Sequence, residues 1–191
     1  MGSLKLCQRY TGLPSEWLKN KKAGMILIEG SDYEIGNNQA YAEEKSLINS
    51  QRHVDDFYID KTEVTNAQFE SFIKATNYIT EAEQQGEAAI FEKPINVVKE
   101  LGWWKLEKDV FWRFPWGISA QRKILPNEAV RFITLKDAIA YADWLGHEIP
   151  TEEQWEFAAK GFGQERDVKA MNNGIHINAN VWQGHSLTKM K

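Results

Sequence analysis

The sequence predicts an α+β fold with much irregular backbone, and three observations carry that prediction. Threonines at 65, 134 and 151 each open a run with apolar residues at helical spacing. Two short segments, Met25 to Ile28 and Val54 to Glu63, are rich in aliphatic or aromatic residues and read as strands. Between the first and second helices, about residues 77 to 133 show little periodicity.

Residues 1–24, with Gly12, Pro14 and Gly24, form an irregular lead-in, and residues 25–191 form the domain. After the first strand, Gly30-Ser-Asp32 carries turn chemistry. The first helix starts at the capping box Thr65-x-x-Gln68 and buries Phe69, Phe72 and Ile73. In the second, Thr134 is the N-cap, Ala138, Tyr141, Ala142 and Leu145 form the stripe, and Gly146 ends it. The third opens at Thr151-x-x-Gln154, buries Trp155, Ala158 and Ala159, and stops at Gly161. The aperiodic segment holds Trp103, Trp104, Phe111, Trp112, Phe114 and Trp116. These read as a hydrophobic plug, or alternatively as a platform for a peptide or sugar.

Composition narrows the function classes. The chain has 191 residues, 42% apolar and 26% charged, with a net charge of -4. That is an ordinary soluble domain without the basic face that nucleic-acid binding requires. The longest aliphatic run, Met25-Ile-Leu-Ile28, is far too short to span a membrane. The start, Met-Gly-Ser-Leu-Lys-Leu-Cys7, lacks the apolar core of a signal peptide, which leans toward a cytoplasmic location. Cys7 is the single cysteine, so no intrachain disulfide is expected. Eight Trp imply a core built largely on aromatic packing.

Few residues stand in a pattern that carries chemistry. His53, His147, His176 and His185 have no metal-ligand spacing with each other or with Cys7, and read as surface or cap residues. Glu152, Glu153 and Glu156 read as acids that favour a helix start rather than as an acid/base pair. Asn178-Ala-Asn180-Val-Trp-Gln-Gly184 offers oxygens of the kind calcium accepts, but far fewer than the six to eight it takes.

Several blocks, in order, resemble the formylglycine-generating enzyme (sulfatase-modifying factor) family. They are Met25-Ile-Leu-Ile-Glu-Gly-Ser-Asp-Tyr-Glu-Ile-Gly36, Tyr58-Ile-Asp-Lys-Thr-Glu-Val-Thr-Asn66, Phe111-Trp-Arg-Phe-Pro-Trp-Gly117, Asp137-Ala-Ile-Ala-Tyr-Ala-Asp-Trp-Leu-Gly146 and the segment from Pro150 to Glu156. The resemblance implies a variant C-type-lectin-like fold, here truncated. It also implies oxidation of a cysteine in a sulfatase Cys-x-Pro-x-Arg peptide to formylglycine, using dioxygen and copper. The family binds Cu(I) through two cysteines, a soft-ligand pair that suits the metal. The resemblance places those cysteines beyond Lys191, so no catalytic residue is assigned and oxidation by this chain alone is not expected.

Other implied roles are residue-specific. Glu87 and Ala88 fall where the family holds the substrate arginine with an acid and a hydroxyl, so only the acid is kept. Trp103 matches a wall of the substrate groove. Asn180 and Val181 match calcium ligands and leave half a site. Ala142 and Ala159 replace cysteines that are paired in some vertebrate members. Three functional readings follow: a fragment of the oxidase, a non-catalytic module that binds a sulfatase peptide, and a remnant completed by a homodimer or a complementing chain.

Overall fold

The structure is a computed structural model that describes residues 9–36, 50–91, 104–161, 163, 171–172 and 176–177. Short helices mix with small two-stranded sheets, an α+β composition. The chain divides into two compact units, one built on Leu27–Ile59 and the chain from Pro150, the other on the lead-in to Ile26 and Asp60–Ile149.

β1 (Met25–Ile28) falls where the sequence predicts it. β2 (Ser31–Ile35) begins inside the expected turn, because Ser-Asp-Tyr-Glu-Ile alternates and sends Tyr33 and Ile35 inward. It pairs antiparallel with β3 (Ser50–Val54), in a register that sets Tyr33 opposite Arg52. The predicted strand at 54–63 is therefore two. Asp55 and Asp56 break it, and β4 (Phe57–Asp60) leaves to pair with β1. The break is held by the Gly30 N–H, which donates to the Asp56 carboxylate at 2.8 Å. A methyl group on Gly30 would lie 2.5 Å from the Asp55 carbonyl carbon, so only glycine allows this approach.

The second unit packs around Phe69, Phe72, Trp112 and Tyr141. Phe69 meets Trp112 at 5.3 Å and Tyr141 at 5.9 Å between ring centroids, so aromatic packing does dominate this core. Phe69 and Phe72 come from α1 (Asn66–Thr76), whose Thr65–Gln68 capping box is formed as expected. Its first turn is stitched to an irregular segment. Asn66 and Ala67 N–H groups donate to the carbonyls of Glu128 and Pro126, both at 2.9 Å, and Val130 N–H donates to Val64 O at 2.9 Å. The Asn66 amide reaches Leu125 O at 2.8 Å, and the Thr65 hydroxyl donates to Gly12 O.

The aperiodic stretch is more regular than the sequence predicts. It contains α2 (Glu81–Gln85) and an antiparallel hairpin of β5 (Glu87–Phe91) and β6 (Trp104–Lys108). α3 (Leu135–Leu145) has a full capping box, Thr134 with Asp137, and ends at Gly146. α4 (Glu152–Ala159) opens at the Thr151 box but ends at Lys160, one residue before the expected glycine. Its buried residue is Phe157, edge-on to Tyr33 at 5.3 Å, while Trp155 is 58% exposed, against expectation. Two residues on a helix are about 200° apart, so burying Phe157 turns Trp155 outward. β7 (Met171–Asn172) and β8 (His176–Ile177) form a minimal pair.

Candidate functional site

The hairpin is positioned by what precedes it. The Thr80–Glu83 capping box opens α2, and Gly86 ends it in the left-handed region at φ 71, turning the chain into β5. The Asp109 N–H donates to Gly86 O at 2.9 Å and closes the base of the hairpin. Asp137, fully buried, holds α2 from α3. It accepts from Glu81 N–H at 3.1 Å, Tyr78 hydroxyl at 2.9 Å, Thr134 N–H at 2.9 Å and Thr134 hydroxyl at 3.0 Å. Burial, and then the bond to Asp137, push the Tyr78 hydroxyl up to about 12. Past β6 the chain sends Val110 and Trp112 into the core.

Register decides what the hairpin displays. Glu87 stands opposite Lys108, Ala89 opposite Leu106 and Phe91 opposite Trp104, so these six share one face. Along it Phe91, Trp104 and Leu106 are 42%, 59% and 66% exposed. The Phe91 and Trp104 rings meet edge-on at 5.8 Å. A groove of about 520 Å³, contained in the second unit, is walled by Phe91, Trp104, Glu107, Trp116, Arg131 and Phe132 among others. Above Trp116 lie two guanidinium groups, Arg122 at 3.9 Å and Arg131 at 4.7 Å from the ring centroid.

The predicted site residues fare differently. Glu87 is half-buried at the start of β5, at one end of the exposed face. Ala88, its neighbour, falls on the opposite side of the strand. Trp103, Asn180, Val181 and Cys7 lie outside the described residues. The expected plug holds for Trp112, which is buried, but Trp104 is turned to solvent because strand alternation puts it opposite Phe91. Phe91, Leu106, Arg122 and Arg131 were not singled out by sequence reasoning. The first two carried a strand signal too short to notice, and the arginines carried none.

Elsewhere, polar clusters are structural. His53 contacts Asp32 at 2.7 Å and Asp55 at 3.4 Å, and the bond to Asp32 raises its pKa. His147 bonds Lys21 O at 2.6 Å. Both match the expected surface roles. A second cavity of about 340 Å³ is lined by Tyr10, Asp60 and Gln68, with the Asp60 carboxyl raised by burial despite the opposing pull of His147. Glu152 and Glu153 sit in the first turn of α4 as expected. Glu156 is instead committed to Lys160 at 2.7 Å and to the Gly36 N–H at 2.7 Å. Among the described residues no group of three or more His, Cys, Asp or Glu side chains could hold a metal ion. Nor is any described helix long and apolar enough to cross a membrane.

Residues 10–190 match the family model described as the sulfatase-modifying factor enzyme 1-like domain. The chain belongs to this sulfatase-modifying factor family. Relatives within it include formylglycine-generating enzymes of Mus musculus, 32% identical over 96% of this chain and 54% of the relative. That of Thermomonospora curvata is 33% identical over 84% of this chain and 57% of its own length. A Bos taurus relative named inactive C-alpha-formylglycine-generating enzyme 2 is 31% identical over 90% of this chain and 61% of that protein. The chain thus spans little more than half the length of these sulfatase-modifying factor relatives.

Proposed function

We propose that these 191 residues bind a sulfatase-type Cys-x-Pro-x-Arg peptide on the β5–β6 face and do not themselves oxidise it. The observation that carries this reading is the exposed row of Phe91, Trp104 and Leu106 running from Glu87. A carboxylate at one end of an aromatic strip suits an extended peptide with one arginine: the guanidinium pairs with Glu87 and the apolar residues cover the rings. Trp103, outside the described residues, keeps in this reading the groove-wall role that the family resemblance implies. The variant C-type-lectin-like fold is the architecture the family reading carries, and small sheets joined by irregular connections are compatible with it.

The absence of oxidation rests on chemistry. Cu(I) in this family reading needs two thiolates, and the residues in hand include one cysteine, Cys7, so they do not fit the ion. Similarity to a relative named inactive supports the non-oxidising half of the reading. Asn180 and Val181 would give calcium a side-chain and a main-chain oxygen. Two oxygens do not fit a complete site, and calcium is assigned no part in binding.

Titration of such a peptide, followed by tryptophan fluorescence, tests the reading. Binding is expected at micromolar affinity or weaker, and Glu87→Gln should weaken it about tenfold, the loss of one charged hydrogen bond. Replacing the peptide arginine should cost as much, with no further loss when both changes are combined. A flat titration would sink the proposal. Aldehyde formed on the peptide by these residues with copper supplied would sink its non-oxidising half.

A further inference from the structure

Trp116 is met by two cations that differ in what else they meet. Arg122 reaches the Glu128 carboxylate at 3.8 Å. Arg131 makes no ion pair with a carboxylate among the described residues. Stacking on the indole fixes the Arg131 fork without using its hydrogen-bond donors. The other charges on the groove wall, Lys105 and Glu107, pair with each other at 3.2 Å. The described wall therefore carries one uncompensated cation beside the exposed rings of Phe91 and Trp104.

We propose that this groove takes the part of the bound peptide that carries an acidic side chain, whose carboxylate meets Arg131 while its neighbours cover Phe91 and Trp104. The inference rests on the peptide-binding reading and deepens it, making Arg131 a specificity determinant. Along β5, Ala89 and Phe91 lie two and four residues from Glu87. An extended peptide rises about 3.3 Å per residue, so with its arginine at Glu87 it comes within roughly two to four residues to Ala89, Phe91 and Trp104, which also line the groove. Lys105 and Glu107 enter the groove wall from the hairpin's other face. An exposed guanidinium holds a free carboxylate only weakly. The apolar contacts made by the same peptide supply the rest, which favours a peptide over a small anion. A charge this accessible is also screened by salt.

The test is a set of peptides with and without the motif arginine, each with Glu or Gln at the second, third or fourth position on either side of it. Binding is measured on the 191-residue protein at low and raised salt. At one position the Glu peptide should bind about fivefold tighter than its Gln partner. Raised salt should shrink that ratio. Arg131→Gln should abolish it, and Arg131→Lys should retain part of it. Near-UV circular dichroism checks that both variants keep their packing. A ratio of one at every position, a ratio that survives Arg131→Gln, or no binding by any peptide overturns the proposal. If the preference for Glu persists without the motif arginine and Glu87→Gln has no effect, Arg131 specificity stands and the arginine-binding reading falls.

Discussion

Replacing Lys160 by methionine should be among the costliest single changes in the first unit. Lys160 is 2% exposed, and its ammonium reaches Glu156 at 2.7 Å, Glu34 O at 2.9 Å and Gly36 O. Methionine keeps much of the stem but leaves the Glu156 carboxylate, itself 15% exposed, without its cation. It also strips two carbonyls of β2 and its exit of a donor. Removing one partner of a buried pair costs about 3–5 kcal/mol, because the surviving charge stays out of water. For a chain of this size that is a fall in Tm of roughly 6–20 °C. Thermal unfolding followed by near-UV circular dichroism measures it. The companion change Glu156→Leu should restore part of the loss in the double variant, since an apolar pair of similar volume often matches a buried ion pair. It cannot restore all, because the Gly36 N–H then lacks its acceptor. A Lys160→Met protein that melts with the wild type would refute the reasoning. So would a double variant that falls by the sum of the single losses.

Two further outcomes follow from the polar ties. Asp137→Ala removes the acceptor of four donors at once and should cost about 3–5 kcal/mol in urea unfolding. Asp137→Asn should cost less, because its amide oxygen keeps part of the set; equal losses would argue that burial alone matters. His53 should titrate above its ordinary value of 6.5, since the bond to Asp32 favours its charged form. Stability from that pair is then fully present below 6.5 and is lost as pH rises through the higher folded value. An NMR titration of the ring protons checks this. Asp32→Asn should lower the His53 value, and no movement would remove Asp32 as the cause.

What was legible in the sequence was local. Thr65 with Gln68 and Thr151 with Gln154 announce their helices because both partners of each box lie within one turn. Thr80 with Glu83 carries the same signature, yet α2 escaped notice because five residues with one buried side chain, Ala82, show no period. β2 was hidden by Gly30-Ser-Asp32, which reads equally as a turn and as a strand entrance. Lys160 was passed over for Gly161 because the carbonyls that explain its burial are 124 and 126 residues away. For the site, Glu87 came from family resemblance and Trp104 from composition. Stacking of Arg122 and Arg131 on Trp116 depends on the path of an irregular segment, which no spacing rule describes.

That same segment is not uniformly free to change length. Connections without regular structure are where chains ordinarily accept insertions. Here the span from Leu125 to Val130 is tied into the first turn of α1, so an added residue there would break bonds at a helix start. Between Gly117 and Leu125, insertions and deletions meet less resistance. They would carry Arg122 with them and leave Arg131 where α1 holds it. One arginine over the indole is thus anchored and the other adjustable, which lets descendants of this chain retune one cation on Trp116 without disturbing the other.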